Sequence, residues 1–399
     1  MHFLGYERPD GSVGIRNQVV IIPSVCCANE MAARIAEQVP GAKPIFNNHS
    51  CSRLKPDNDM ALRALTGLGA NPNAAATLVV GAGCDTVPAS EIVDGIARTR
   101  KPVAYVDIEK EGSYGTAVEK GVGIARAFLA QTAALERKSC SIGNLTLGMK
   151  CTSSDTTSIL ACNPVVGQAT DFIITNGGSA IFTETTELIG AEHILTRRAA
   201  DGIVARNLCQ KVEEMRKRIK RAKVDILRSQ PNQGNIKGGI STLEEKSLGG
   251  IGKAGSTPIR GVLEWGERPR TKGLFFMDGS ANTQLVIVGL AAAGAQVMSL
   301  SFGGGVCAQL RTSTINTAGG GLSVLPIIKT LSNPQSLSEV ACFDVYVGGI
   351  IEGRETVAEA GKRLIDEIIA VASGKMTKLE SIESPFKEVW EFYSTGPLV

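Results

Sequence analysis

The chain has 399 residues, 43% hydrophobic and 20% charged, a composition that suits a globular protein with a large buried core. Forty-two basic residues stand against 39 acidic ones, a net charge of +3, which removes the electrostatic case for nucleic acid or a membrane surface as a partner. No apolar run reaches the roughly 18 residues of a membrane span. Met1–Gly5 lacks the charged and apolar regions of a signal peptide, so a cytoplasmic protein is expected, with its ten cysteines reduced.

The first part alternates strand and helix. Val19–Pro23 is a β-branched run that reads as a buried strand, followed by a helix over Asn29–Val39 and a short strand over Lys43–Asn47. A helix over Asp57–Leu68 has Pro56 at its start, where a missing N–H is tolerated. Ala76–Gly81 is a second buried strand; Ser90–Arg98 is helical, Pro102–Ile108 a strand and Gly115–Glu136 a long amphipathic helix. Such alternation predicts an α/β, doubly wound parallel-sheet domain at about residues 1–138. Arg137-Lys138-Ser139 is a polar break, and residues 139–399 predict a larger, less regular α/β catalytic domain. Its strands are expected at Leu145–Met149, Asp171–Thr175, Ser179–Phe182, Gly273–Met277, Ala295–Leu300 and Cys342–Val347. Its helices are expected at Pro164–Thr170, Glu187–Lys223, Thr242–Gly249, Thr283–Ala293 and Glu355–Ser373. The basic run Arg216–Arg221 reads as a solvated helix face, and residues 228–258 read as a long functional loop.

Ligands of open parallel sheets bind beyond the carboxyl ends of the strands, so the residues after each strand carry the functional signal. Three strands are followed within a few residues by cysteine: Cys51 after Asn48-His49-Ser50, Cys84 after Gly81-Ala82-Gly83, and Cys151 after Lys150. Thiolates select zinc and iron–sulfur centres, and three of them on one cluster leave a fourth iron open. Each alone is better explained by packing, and only the three together bring a joint metal role level with it. The other cysteines, Cys26, Cys27, Cys140, Cys162, Cys209, Cys307 and Cys342, are assigned to packing. His49, two residues before Cys51, suits a ligand or a general base. Glu184 follows a strand end, and with Glu187 it suits abstraction of a proton α to a carboxylate; a plain helix cap accounts for both equally. Thr242 and Glu245 have capping-box spacing, and Lys237 and Lys246 add positive charge near a helix start that suits an anion. Arg16-Asn17 suits carboxylate binding, although a structural role fits its place before a strand better. No Walker or dinucleotide pattern occurs, so nucleotide binding is not supported.

Along nearly its whole length the chain resembles the altronate and galactarate dehydratase family. The matching segments are Gly5-Tyr6 through Arg16-Asn17, His49/Cys51, Gly81 through Cys84, Cys151 through Asp155, Ala161 through Pro164, Glu184 through His193, Gly234-Asn235 through Gly249, and Phe276-Met277-Asp278. The resemblance implies elimination of water from a small hydroxy or sugar acid to give a 2-oxo acid. It also implies iron, as a [4Fe-4S] cluster or mononuclear Fe2+, and a separate small subunit; a homo-oligomer is expected. The candidate site is then His49, Glu184 and Lys246 for catalysis, and Arg16, Asn17, Ser154, Asp155, Asn235, Lys237 and Thr242 for substrate binding. Cys51, Cys84 and Cys151 are the candidate metal ligands. Where the family typically reads Cys-Gly-Gly-Ser-Asp, this chain has Cys151-Thr152-Ser153-Ser154-Asp155. Ser154-Asp155-Thr156-Thr157 is more similar to the β subunit type of sulfolactate sulfo-lyase, which keeps open a carbon–sulfur lyase that releases sulfite. A non-catalytic scaffold that kept the fold is the third reading.

Overall fold

Two parallel sheets are built around the buried β-branched runs. The structure is a computed structural model that describes all residues except 224–225, 227–229, 305–320, 382–388 and 396–399. The first part runs β1 (His2–Glu7), β2 (Val13–Gly14), β3 (Gln18–Pro23), α1 (Asn29–Gln38), β4 (Ala42–Pro44), β5 (Phe46–Asn47) and α2 (Lys55–Ala70). It continues with β6 (Ala74–Gly81), α3 (Ala89–Ala97), β7 (Val103–Asp107), α4 (Tyr114–Ala133) and β8 (Lys138–Ser141). The second part runs β9 (Thr146–Thr152), α5 (Asn163–Thr175), β10 (Ser179–Phe182), α6 (Glu192–Arg197), α7 (Gly202–Arg221), α8 (Gln233–Lys237) and α9 (Leu243–Gly250). It ends with β11 (Ile259–Leu263), β12 (Gly273–Met277), α10 (Thr283–Ala292), β13 (Val297–Phe302), β14 (Ile327–Leu331), β15 (Val345–Tyr346), α11 (Val357–Ala372) and β16 (Val389–Trp390).

The small sheet has the order β4-β3-β6-β7, all parallel. Alternation along β3 explains its two covers. Val19 and Ile21 pack with Met31 and Ile35 of α1 and Ala117 of α4, whereas Val20 and Ile22 pack with Leu65 of α2 and Ile92 of α3. The large sheet has the order β11-β12-β10-β9-β13-β14-β15, also parallel. Its one face packs on Val166 and Ile173 of α5 and Leu364 of α11; its other shares an apolar cluster with the small sheet through α2 and α10. A Cβ at Gly67 of α2 would collide with the Ala292 carbonyl of α10, so the helices touch backbone to backbone there.

Four sequence expectations change. Asp171–Thr175 is the last part of α5, not a strand: Ile173 lies four residues after Ala169 on the helix's buried side. Glu187–Lys223 is not one helix, because Gly190 turns with φ +91° and Asp201 caps a new start at α7 by accepting from Ile203 and Val204 N–H. Residues 230–258 are largely short helices packed on the large sheet rather than an open loop. The strands β1, β8, β11 and β14 were not expected; β1 pairs antiparallel with β2 and β8 at the edge of the molecule.

Asn73 joins the two halves. Its side-chain oxygen accepts from the N–H of Ile15 (2.7 Å) and Arg16 (3.1 Å), and its amide donates to the carbonyls of Gln296 (2.8 Å) and Val324 (3.0 Å). All four bonds are buried. Replacing Asn73 with alanine strands four buried backbone groups, and the expected loss is about 3 kcal/mol or more in urea unfolding. A loss below about 1 kcal/mol would show that the seam does not depend on this side chain.

Candidate active site

The carboxyl edge of the large sheet gathers six ionisable side chains. β9 ends in Lys150 and Cys151; Glu184 follows β10; a 3-10 turn over Thr185–Leu188 brings Glu187; α9 brings Lys246; a second 3-10 turn over Ile251–Ala254 brings Lys253. Lys150 Nζ donates to Glu184 Oε1 at 2.7 Å, and Lys253 Nζ donates to Glu184 Oε2 at 2.8 Å. Lys253 also lies 3.1 Å from the Cys151 sulfur and 3.7 Å from Glu187 Oε2. The Cys151 thiol donates to Glu187 Oε2 at 3.0 Å, and Lys246 Nζ stands 3.0 Å from Glu187 Oε1. All six are buried, Glu184 completely. Glu184 adopts φ +81°, ψ +66°, a left-handed conformation that costs a residue with a side chain about 1–3 kcal/mol. Glu187 N–H to the Glu184 carbonyl (2.8 Å) and Thr185 N–H to the Gly279 carbonyl (3.0 Å) hold that turn.

Charge explains the protonation states. Burial alone would raise Glu187, but Lys246, Lys253 and Lys150 outweigh it and hold the carboxyl down at about 2. Burial, then Glu184 and Glu187, push the Cys151 thiol up to about 12 against the pull of Lys253. Lys246 and Lys253 are both raised: burial opposes their charge, and the neighbouring acidic groups more than restore it. With the thiol neutral, three ammonium groups face two carboxylates, and the basin carries one excess positive charge. Beside it lies a pocket of about 510 Å³, lined by Thr186, Arg218, Gln230, Asn282 and Tyr393 among others. Gln230 Oε1 accepts from Lys246 at 2.6 Å, and Arg218 donates to the Tyr393 hydroxyl at 2.6 Å. Arg218 therefore departs from the solvated face expected of its basic run.

Glu184, Lys246 and Cys151 thus meet, while among the described residues the side chains of the other expected site residues form no hydrogen bond or ion pair with this network. Arg16 gives its five N–H donors to Glu380 and to the carbonyls of Ile15, Val371 and Lys375, a structural clamp. Asn17 accepts from Arg8 and donates to the Thr132 carbonyl. The Asn235 amide donates to the Ser154 carbonyl at 2.9 Å. Asp155 accepts from Ser158 N–H, the Thr157 hydroxyl and Asn333, so these residues shape the loop after β9. Thr242 caps α9 by accepting from Glu245 N–H, but the Glu245 carboxylate reaches Ser241 instead of closing a capping box; Lys237 is exposed. His49 belongs to the small sheet's carboxyl edge. Burial and Arg53 lower it to about 4, against Asp57, so the ring is neutral at pH 7.

Cys51 and Cys84 are exposed at that same second edge. Among the described residues, the donor atoms grouped with the Cys151 sulfur are those of Glu184 and Glu187, all within 4.8 Å of one another, not those of Cys51 or Cys84. This buried set could hold a metal ion, but the Lys253 ammonium lies among the same atoms and already supplies the positive charge. The set therefore fits iron poorly. Of the cysteines assigned to packing, Cys140 and Cys162 are buried; Cys27, Cys209 and Cys342 are exposed, Cys26 is half-buried, and Cys307 lies outside the described residues. Burial raises the Cys26 thiol, helped by Cys27 and Cys51. Lys150, Lys253, Arg218 and Tyr393 were not singled out from sequence. A lysine inside the buried strand Thr-Leu-Gly-Met-Lys-Cys-Thr was the available signal.

Residues 142–395 match the family model "D-galactarate/Altronate dehydratase, C-terminal", and residues 5–133 match "D-galactarate dehydratase/Altronate hydrolase, second domain". The chain belongs to the D-galactarate/altronate dehydratase family, and it is a lyase. It is 34% identical to (2R)-sulfolactate sulfo-lyase subunit beta of Chromohalobacter salexigens, over 95% of each chain. It is 29% identical to altronate dehydratase of Bacillus subtilis, over 98% of this chain and 78% of that one. The galactarate dehydratase (L-threo-forming) of Escherichia coli is also 29% identical, over 94% of this chain and 73% of its own length.

Two outcomes follow from the protonation states. At pH 8 the exposed thiols react readily with a disulfide reagent while Cys151 reacts only after denaturation, so Cys151→Ser lowers the denatured count but not the native one. Glu187 is depressed from 4.5 to about 2, so its stabilising contribution is complete above about pH 4.5 and is lost as the pH falls through about 2. In acid unfolding curves Glu187→Gln removes that limb; an unchanged limb would mean that the carboxylate is not held by the lysines.

Proposed function

We propose that the buried basin at the end of β9 and β10 catalyses β-elimination from a small 2-hydroxy acid, with water as the leaving group. The observation that carries this reading is its one excess positive charge beside a pocket to which Arg218, Gln230, Asn282 and Tyr393 contribute polar groups, which suits a substrate carboxylate. Glu184 takes the proton from the carbon next to that carboxylate. Lys150, Lys246 and Lys253 stabilise the negative charge that develops on the carboxylate oxygens as the proton leaves. The group on the next carbon then departs, and the enol becomes a 2-oxo acid. Arg218 and Tyr393 orient the substrate's far hydroxyls from the pocket wall.

A second reading has a specific observation behind it. The match to the sulfo-lyase subunit covers 95% of both chains, whereas the dehydratases are longer than this chain. Sulfite is the better leaving group, and the same proton abstraction serves both reactions. That relative is named a subunit, and we extend this to a separate small partner subunit here, with the assembled enzyme a cytoplasmic homo-oligomer. Among the described residues no helix is long and apolar enough to cross a membrane.

The test is turnover of the chain, with and without the small partner, on altronate, galactarate and (2R)-sulfolactate. One of these is converted to a 2-oxo product, and Glu184→Gln lowers kcat by about 10²–10⁴-fold with the fold intact by circular dichroism. Full activity in that variant would remove Glu184 as the base, and release of sulfite alone would select the second reading.

A further inference from the structure

Residues 389–395 pass from the small sheet's side of the molecule to the wall of the substrate pocket. β16 pairs in parallel with β5, Val389 opposite Phe46 and Trp390 opposite Asn47. Beyond β16 the backbone is gripped by the segment that joins β5 to α2. Phe392 N–H donates to Asn48 Oδ1 at 2.9 Å, and Arg53 donates to the Phe392 carbonyl at 3.4 Å. Asp57 takes three donors from the two residues after Tyr393. The Ser394 hydroxyl lies 2.8 Å from Oδ2, and the N–H and hydroxyl of Thr395 lie 2.8 and 3.0 Å from Oδ1. Tyr393 stands between these holds. Its hydroxyl accepts from Arg218 at 2.6 Å, its ring packs on Trp265, and it lines the pocket with Arg218.

Asp57 is only 1% exposed and sits in the first turn of α2. An acidic residue there is ordinarily explained by the positive end of the helix. That explanation does not call for donors that come from 337 and 338 positions further along the chain. Hydrogen bonds to an ionised acceptor are about twice as strong as neutral ones. Three of them on two consecutive residues, with Asn48 and Arg53 holding Phe392, fix the backbone on both flanks of Tyr393. A group that meets a ligand is useful only when it is held in place beforehand, and a displacement of about 1 Å forfeits much of its effect.

We propose that Asp57 is a positioning residue of the substrate pocket. It acts through Tyr393, holding the phenol hydroxyl against Arg218, and so sets how tightly the pocket takes its acid. Asp57 is not itself among the residues that line the pocket. The proposal rests on the reading of that pocket as the substrate site.

The full chain is compared with Asp57→Ala, Asp57→Asn, Tyr393→Phe and the double variant that joins Asp57→Ala to Tyr393→Phe. Asp59→Asn is the control, two positions along the same helix in an exposed pair with Lys55. The first readout needs no substrate. Fluorine NMR is recorded on protein carrying 3-fluorotyrosine, in which Tyr393→Phe assigns one resonance among the five tyrosines. Hydrogen exchange follows the amides of Phe392 and Thr395. In Asp57→Ala the Tyr393 resonance moves toward that of free tyrosine, and both amides lose protection. The second readout is turnover of the acid that the wild type converts. KM rises about 3–10-fold in Asp57→Ala and in Tyr393→Phe, the size of one lost hydrogen bond, and kcat stays within about twofold. The double variant is within about twofold of the weaker single, because one residue acts through the other. Asp57→Asn, whose amide oxygen still accepts one N–H, lies between wild type and alanine, and it decides the matter should the alanine variant fail to fold. Asp59→Asn matches the wild type. An unmoved Tyr393 resonance in Asp57→Ala would overturn the proposal, as would a moved resonance with KM unchanged, or losses that multiply in the double variant. If no acid is converted, the elimination reading fails, while the fluorine spectrum still decides whether Asp57 holds Tyr393.

Discussion

Three lysine ammonium groups and two glutamate carboxylates share a volume from which solvent is almost excluded. In that environment each charge is tolerable only because the others are present, since an unpaired buried charge costs several kcal/mol. The arrangement depends on five chain segments reaching one point: the ends of β9 and β10, the turn after Glu184, α9, and the turn carrying Lys253. Parallel strands make this possible, because every strand of the large sheet delivers its carboxyl end to the same side. The left-handed backbone of Glu184 is a local cost that these ion pairs offset.

The charge is divided between two edges. At the large sheet's edge the acidic groups are saturated with lysine, leaving a place for an anion. At the small sheet's edge Asp85, Asp107 and Glu109 form no salt bridge among the described residues, so the lysine pairing of the other edge is not repeated there. The C-terminal segment connects them. Its strand β16 pairs with β5 beside the His49 loop, and Phe392 N–H donates to the Asn48 side chain at 2.9 Å. Tyr393 then bonds Arg218 at the pocket and packs on Trp265 at a ring separation of 6.0 Å. The pocket wall therefore includes a segment that is anchored beside the His49 loop.

How much of this was legible in the sequence depends on how local the signal is. β3 and β6 announce themselves because their runs are buried on both faces. Cysteines after strand ends pointed to the carboxyl edges, and Glu184 and Glu187 to proton chemistry. Residues 171–175 misled because Phe-Ile-Ile-Thr has strand composition, and only packing against the large sheet shows that they complete α5. Lys253 was invisible for a different reason: a lysine in Gly-Ile-Gly-Lys-Ala-Gly has no local partner, and its glutamates lie 69 and 66 positions earlier. Cysteine spacing along the chain also could not reveal that Cys151 belongs to one sheet and Cys51 and Cys84 to the other. Sheet order decides that, and it emerges only when the strands pair.

The departure from Cys-Gly-Gly-Ser-Asp gains a physical meaning from the backbone. Ser153, at the second glycine position of that pattern, adopts φ +47°, a conformation glycine takes freely and serine does not. Ser153 thus carries a backbone strain that glycine at this position would avoid. Gly303 allows this closeness, because a Cβ there would stand 2.5 Å from the Ser153 carbonyl oxygen. What changes is the surface: Thr152 and Ser153 add two half-buried side chains to the rim directly after Cys151, where a glycine pair would leave space. Under the proposed elimination, a narrower and more polar rim beside the charged basin bears on which acid fits rather than on how its α proton is removed.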